Sequence, residues 1–396
     1  MRTLVCVANI RVPSDKANTV QVFRMCEALS RDLESVSLLY PRRWNPPRLR
    51  EVHDPFAYYG VSRSFRLHSA WCADIHPLRR TFSTAWAQLH AMTFAWSSRR
   101  ALWHRLHGVD AVYTRDPWLA ILFARAARRA APAPLLAFEA HTFPQGARKR
   151  WMPLLRHLDL IVVLTSRLKL QFEAVGVPSE RILVAPDGVD LSAYVGAAPA
   201  GPPQCLADCN RPIALYTGHL FEWKGAHTLI EASKAFDAET VLLGGTPQNV
   251  ARAREQAADA HSERVRFLGL VPPREVPAYQ MAADVLVLPN SGKLTISREH
   301  TSPLKLFEYM AARRPIVASD LPSIREILTD GVNAVLVNPD DPEALAGGIQ
   351  RVLDNPEWAQ GLAERAFQDV QEYTWEKRAR RILDRLDDML QAKDKS

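Results

Sequence analysis

The 396-residue sequence has no apolar stretch close to the roughly 20 residues that a membrane-spanning helix requires. Met1-Arg2 leads straight into Thr3–Ala8, an apolar run too short for the core of a secretory leader. Cysteine is scarce and odd in number. Cys6, Cys26, Cys72, Cys205 and Cys209 imply reduced thiols and a cytoplasmic protein, not a disulfide framework. Cys205 and Cys209 stand four apart with no second Cys/His pair nearby, which argues against a zinc site.

What is present describes an ordinary globular chain, 47% apolar and 23% charged, long enough for two domains that each bury a core. The net charge of +7 is unevenly divided. Residues 1–190 carry 27 Lys/Arg against 15 Asp/Glu, and the remainder carry 23 against 28. A first half at +12 points to an anionic partner, either nucleic acid or an anionic membrane surface. Basic clusters stand at Arg42-Arg43, Arg79-Arg80, Arg99-Arg100, Arg128-Arg129 and Arg148-Lys149-Arg150. Phe82–Leu106 reads as a helix with Phe82, Trp86, Leu89, Trp96 and Trp103 interleaved with Arg99, Arg100 and Arg105. It is either a core helix with a solvated basic edge or a helix that lies in a lipid interface.

Short apolar strands alternate with helices along the whole chain. Strands are expected at Leu4–Ala8, Val36–Tyr40, Asp110–Tyr113, Leu135–Phe138, Leu160–Leu164 and Ile182–Ala185. A second series follows at Ile213–Tyr216, Thr240–Leu243, Val265–Phe267, Val285–Leu288, Ile316–Ala318 and Ala334–Leu336. Such a pattern predicts an α/β protein with parallel sheets covered on both faces. The Pro/Gly/Ala stretch 195–212 reads as a linker. The expected division is therefore 1–194, the linker 195–212, and 213–375. These are two Rossmann-like, doubly wound domains facing each other across a cleft.

Ligands of such sheets bind beyond the carboxyl ends of the strands, which selects the loops to inspect. After Ile213–Tyr216 comes "TGHLFEWKG", where Gly218 allows close backbone approach and Lys224 places a charge beside Gly225. After Val285–Leu288 comes "PNSGKLTISREHTSPLK". Here Ser302 suits an N-cap and Pro303 a first helical position, leaving the N–H groups of Leu304 and Lys305 to point outward. That start is either plain helix punctuation or an anion site, with Glu308 one turn deeper at a reach suited to a ribose diol.

These segments, with "LGG", "RVRFLGLVPPREVPAYQMAADVLVLPN" and "HTSPLKLFEYMAARRPIVASDLPSIREIL", resemble the family 4 (group 1) glycosyltransferases of the GT-B fold. "PDGVDLSAY" (186–194) is similar to the hinge segment of that family. "ANIRVPSDKANTVQVFRMCEALS", "VYTRDPWLA" and "FEAH" resemble its acceptor-side loops. The resemblance implies a nucleotide-diphosphate sugar donor, UDP- or GDP-linked, a retaining reaction, no cofactor and in general no metal. The absence of any Asp-x-Asp pair agrees with that. It also implies that the helix from Trp375, and so residues from about 376 onward, returns to the first domain.

By the same resemblance Glu308 ends the E-x7-E motif, whose first position falls on His300 with Glu299 alongside. His300 either bonds a donor-sugar hydroxyl in place of that Glu or is a loop histidine. The Arg of the diphosphate pair is replaced by His219, while Lys224 keeps its place. His141 corresponds to the acceptor-domain histidine near the donor sugar and leaving phosphate, or else is a buried, satisfied histidine. Glu139, two residues earlier, reads as an orienting partner for backbone or for His141 and not as a nucleophile. Arg115 is a candidate for holding a phosphate, or else an ordinary ion-pair partner of Asp116. The acceptor loop 11–19, which includes Lys16 and Asn18, lacks the glycines common in the family. The implied acceptor is a glycan or lipid-linked hydroxyl in bacterial surface polysaccharide or glycolipid synthesis. Two alternatives stay open: a nucleotide-sugar 2-epimerase on the same fold, and a nucleic-acid-binding or base-glucosylating protein. The second is disfavoured by the lack of any recognised nucleic-acid motif.

Overall fold

A computed structural model describes residues 1–74, 83–105, 108–127, 133–143, 155, 157–194 and 203–394. The chain divides into two compact units. Unit 1 comprises Met1–Pro186 with Trp375–Ser396, and unit 2 comprises Asp187–Thr374. The first crossing falls at 186/187, ahead of the expected linker. Residues just beyond it already belong to unit 2, because the Val189 amide donates to the Tyr373 carbonyl and Val189, Leu191, Tyr194 and Leu206 pack in the core of unit 2. The 195–202 part of that linker lies outside the described residues.

Unit 1 holds a seven-stranded sheet: β1 (Thr3–Val7), β2 (Ser35–Pro41), β3 (Arg66–Ala70), β4 (Ala111–Thr114), β5 (Leu135–Ala140), β6 (Leu160–Val163) and β7 (Ile182–Val184). The order is β3-β2-β1-β4-β5-β6-β7, and every pairing is parallel. The direction of winding reverses between β1 and β4, so the loops after these strands flank the switch point where ligands bind in such sheets. The Ala17–Leu29 helix follows β1. The Trp375–Asp394 helix returns to this unit and buries Ala379, Ile382, Leu383 and Leu386.

Unit 2 holds a six-stranded parallel sheet in the order β10-β9-β8-β11-β12-β13. Its strands are β8 (Ile213–Thr217), β9 (Glu239–Leu243), β10 (Val265–Gly269), β11 (Val285–Leu288), β12 (Ile316–Ser319) and β13 (Val335–Val337). Alternation sorts the strand residues onto two faces. Leu215, Val241, Leu286, Leu288 and Ile316 pack with Leu306, Phe307 and Met310 of the Leu304–Ala311 helix. Tyr216, Leu242, Val285, Val287 and Val317 pack on the other face with Leu229, Ile230, Leu345 and Ile349. Both faces being apolar explains why these strands read as continuous hydrophobic runs. Winding reverses between β8 and β11.

The Ser83–Arg105 helix of unit 1 buries His90, Phe94 and Ser98. Its opposite face is not merely basic. Leu89, Met92 and Trp96, spaced three and four apart, are exposed, and Arg99 and Arg100 continue outward from them. Beside it, Ser97 Oγ donates to the carbonyl of the exposed Trp71, and the Arg50 guanidinium lies 4.1 Å from the ring centre of the exposed Trp44. Phe82, Leu106, Arg79-Arg80, Arg128-Arg129 and Arg148-Lys149-Arg150 lie outside the described residues, as do the side chains of Trp103 and Arg105. Among the described residues no helix is long and apolar enough to cross a membrane.

Candidate functional site

In unit 2 the candidate residues gather at the carboxyl ends of β8 and β11. β8 runs into Gly218, whose φ of 127° favours glycine. The chain then turns through Glu222–Lys224 to Gly225. A Cβ on Gly225 would lie 1.6 Å from the Pro289 carbonyl oxygen, so this loop presses directly on the end of β11. That contact fixes where Lys224 emerges. Its Nζ comes within 3.9 Å of where a side chain on Gly218 would begin. Burial lowers the Lys224 pKa, and Glu308 partly opposes the shift.

Lys305 is the second cation of the cluster. It is 7% exposed, its Nζ lies 3.8 Å from the centre of the buried Tyr216 ring, and no hydrogen bond reaches that ammonium. Burial first, and the Lys224 charge second, push its pKa well below the usual lysine value, with Glu308 opposing. The sequence pointed to the Lys305 backbone; the structure adds its side chain. Pro303, not Ser302, precedes the Leu304–Ala311 helix, and no side chain caps its first turn. The N–H groups of Leu304 and Lys305 are thus left to solvent or a ligand. Ser302 is not the cap because its Oγ accepts the Asp187 N–H at 3.0 Å.

Glu308 is set by residues that the sequence did not single out. Its Oε2 accepts from Gln280 Nε2 at 3.0 Å, and Gln280 Oε1 in turn accepts from Tyr194 at 2.6 Å. Gln280 is fully buried, so its amide has one stable arrangement. His219 stacks on Phe221 with ring centres 5.2 Å apart, and its carbonyl accepts from Tyr216 at 2.8 Å. Glu299 and His300 lie on a wide turn, Ile296–His300. Glu299 Oε1 accepts from Arg298 at 3.0 and 3.1 Å. His300 is buried with Nε2 unbonded, and burial lowers its pKa, which favours a neutral ring.

In unit 1 the candidate residues lie beyond β4 and β5. Glu139 is fully buried near the end of β5 and receives Gln21 Nε2 at 2.6 Å, His141 Nε2 at 2.5 Å, Arg378 Nη2 at 2.9 Å and the Tyr113 hydroxyl. Burial pushes its carboxyl pKa up, but Arg378, then His141 and Arg115, outweigh this and hold it well below the usual range. Arg115 Nη2 lies 3.1 Å from His141 Nδ1. An arginine can only donate, so Nδ1 accepts and the ring proton sits on Nε2, facing Glu139.

Arg115 also donates to the Asn18 carbonyl at 3.0 Å and to Gln21 Oε1. It does not pair with Asp116, which instead caps the next helix by accepting from the N–H groups of Trp118 and Leu119. The structure therefore brings Arg115, His141 and the Asn18 backbone together. Lys16 stands at the start of the Ala17–Leu29 helix with its side chain exposed. Gln21, Tyr113 and Arg378 complete the network. Gln21 and Tyr113 lay in segments marked as acceptor-side loops, whereas the helix that carries Arg378 was expected to return to this domain with no role at the site. Among the described residues no group of three His, Cys, Asp or Glu side chains is placed to hold a metal ion.

Residues 19–193 match the family described as Glycosyltransferase Family 4, and residues 211–355 match Glycosyl transferases group 1. The chain is 30% identical over 222 residues to the D-inositol 3-phosphate glycosyltransferase of Xylanimonas cellulosilytica, covering 53% of this chain and 52% of that protein. It is 29% identical over 212 residues to the phosphatidyl-myo-inositol mannosyltransferase of Mycolicibacterium smegmatis, covering 52% and 50%. The chain thus spans about half the length of these curated relatives. Among solved structures, Anabaena HepE in complex with UDP and glucose superposes with a TM-score of 0.74 at 17% identity, over 98% of this chain and 100% of that one. At that identity the likeness is one of fold.

Proposed function

Because the chain belongs to the group 1, family 4 glycosyltransferases and has the GT-B fold, we propose that it moves a sugar from a nucleotide-diphosphate donor to an acceptor hydroxyl with retention of configuration. The observation that carries this reading is the pair Lys224 and Lys305, two ammonium groups of which one is buried with no hydrogen bond, beside an uncapped helix start. Two neighbouring cations, one of them buried, are costly unless an anion joins them, and a diphosphate supplies that charge. Glu308, held by Gln280, suits the ribose hydroxyls of the same ligand. The UDP in the HepE complex supports a nucleotide donor here.

In this reaction the bond from the anomeric carbon to the diphosphate oxygen breaks, and the acceptor oxygen bonds to that carbon on the same face. The acceptor proton passes to the departing phosphate. The sugar carbon becomes oxocarbenium-like and negative charge grows on the leaving group. Lys224, Lys305 and the helix N–H groups are the groups proposed to stabilise that charge without a metal, and His141 is assigned to the transferred sugar by the family resemblance alone. Unit 1 supplies the acceptor side. Its exposed Leu89, Met92 and Trp96 beside Arg99 and Arg100 favour a lipid-linked acceptor reached from an anionic membrane surface.

Thermal-shift titration with UDP, GDP and their sugars tests the donor class. A true donor nucleotide raises the melting temperature of the native chain but not that of Lys224→Ala. Conversion of a sugar nucleotide to its epimer with no acceptor present would replace the transferase reading.

A further inference from the structure

Of the four groups bonded to the buried carboxylate of Glu139 by hydrogen bonds, one comes from the last helix of the chain. Arg378 is itself fully buried and sends Nη2 to Glu139 Oε2 at 2.9 Å. Its Nε donates to the carbonyls of Ala185 at 3.2 Å and Pro186 at 2.9 Å. One guanidinium therefore joins the strand end that carries His141 to the last two residues before the chain leaves unit 1. The other carboxylate oxygen, Oε1, takes the proton on His141 Nε2. With Arg115 donating to Nδ1 from the opposite side, a single tautomer satisfies both neighbours of the ring.

We infer that Arg378 is a positioning residue for His141. By keeping Glu139 an anion in a fixed place, it holds the imidazole in one orientation with its proton on Nε2. This rests on the reading of His141 as a residue of the transfer site. Without the guanidinium, a fully buried carboxyl tends to take up a proton, and a neutral carboxyl no longer dictates where the ring proton sits. Arg115, whose Nε is already 3.6 Å from Glu139, is then the nearest cation left to turn toward the carboxyl. That turn removes the donor from Nδ1. Both constraints on the ring loosen together. Tyr113 and Gln21 remain in place but carry no charge to substitute.

Long-range proton–nitrogen NMR of the full chain with labelled histidine rings reads the tautomer directly, with His141→Ala identifying the signals. The native chain should show His141 as one Nε2–H form, Arg378→Lys should keep it, and Arg378→Met should give a mixture. Should Arg378→Met not fold, Arg378→Met/Glu139→Gln removes both buried charges at once and should show the same mixture. In parallel, UDP-glucose is turned over with water as acceptor and read as UDP release. Arg378→Met should lower kcat by about 10–100-fold, since a small misplacement of a reacting group costs up to about 100-fold, with KM changed less than about 3-fold. Arg378→Lys should recover most of that loss, and Arg378→Met should have no further effect in a His141→Ala background. Unchanged ring signals in the Met variants, or losses that multiply with His141→Ala, overturn the positioning role. If His141→Ala leaves turnover intact, it is the reading of His141 that fails, and the role of Arg378 falls with it.

Discussion

The ammonium of Lys305 stands 3.8 Å above the ring of Tyr216 with Lys224 nearby, and no hydrogen bond from the described residues reaches it; the Glu308 charge offsets only part of its burial. A cation over a ring gains about 1–2 kcal/mol, less than the loss of its hydration. The arrangement is thus poor for the empty protein and good for one that holds an anion.

The first prediction follows from that imbalance. Lys305→Met should raise the melting temperature of the ligand-free protein, by about 1 kcal/mol or more of stability, while weakening UDP or GDP binding. Differential scanning calorimetry with and without nucleotide gives both numbers. A variant that is less stable and binds equally well would remove Lys305 from the site.

The pH dependence has a definite sign. Lys305 is depressed below the 10.5 of a free lysine, so between its folded value and 10.5 the unfolded chain binds more protons. Stability of the ligand-free protein should therefore gain from this group as pH rises through that window. Nucleotide affinity should fall over the same range as the ammonium is lost. Melting curves of the native chain and Lys305→Met between neutral and alkaline pH isolate the contribution, which should be missing from the variant.

Glu308→Gln should weaken UDP by about 10–100-fold, the loss expected for a charged hydrogen bond, yet leave inorganic pyrophosphate binding unchanged. Calorimetric titration of both ligands separates a ribose contact from a general effect on the cluster. Equal losses for both would mean that Glu308 acts on the lysines and not on the sugar.

Two glycines should respond in opposite directions. Gly225→Ala must displace the Pro289 carbonyl from 1.6 Å and should cost about 3 kcal/mol or more, together with nucleotide binding. Gly361, in the Pro356–Val370 helix, has nothing within 4 Å, so Gly361→Ala should stabilise by about 0.5–1 kcal/mol. Urea denaturation of the two variants separates the constrained loop position from the open helix position.

The exposed face of the Ser83–Arg105 helix should bind vesicles containing anionic lipid and release them as salt rises. Arg99→Ser/Arg100→Ser should lose about 1 kcal/mol per charge. Trp96→Ser should remove the fraction that resists salt. Equal flotation with neutral vesicles would count against electrostatic docking.

Much of this is legible in the sequence. The apolar runs of β8, β9, β11 and β12 announce strands buried on both faces, and the loops that follow them carry Gly218, Lys224 and the Leu304 helix start. β3 escaped because "RLHSA" is the edge strand, half exposed, with no hydrophobic run to mark it. Ser302 looked like a cap because Ser-Pro satisfies the rule locally. Only the tertiary position of the Asp187 N–H shows that its hydroxyl is already engaged. Arg378 was hidden among Lys377, Arg380 and Arg381, since helix periodicity separates faces but does not say that a buried face will accept a guanidinium. Lys305 had the same difficulty in reverse, as a charged residue on the apolar side of a helix.

The placement of Arg378 has a consequence for biogenesis. The carboxylate of Glu139 is made early, but its buried arginine partner arrives only with the helix that begins at Trp375. A ribosome that has released the first 186 residues has therefore delivered a unit whose buried anion still lacks its largest counter-charge, with only Arg115 and His141 beside it. Unit 2 is continuous and can close while translation proceeds, whereas unit 1 must wait for the final helix. Chains arrested before that helix should accumulate with the second unit protected from proteases and the first one open to them.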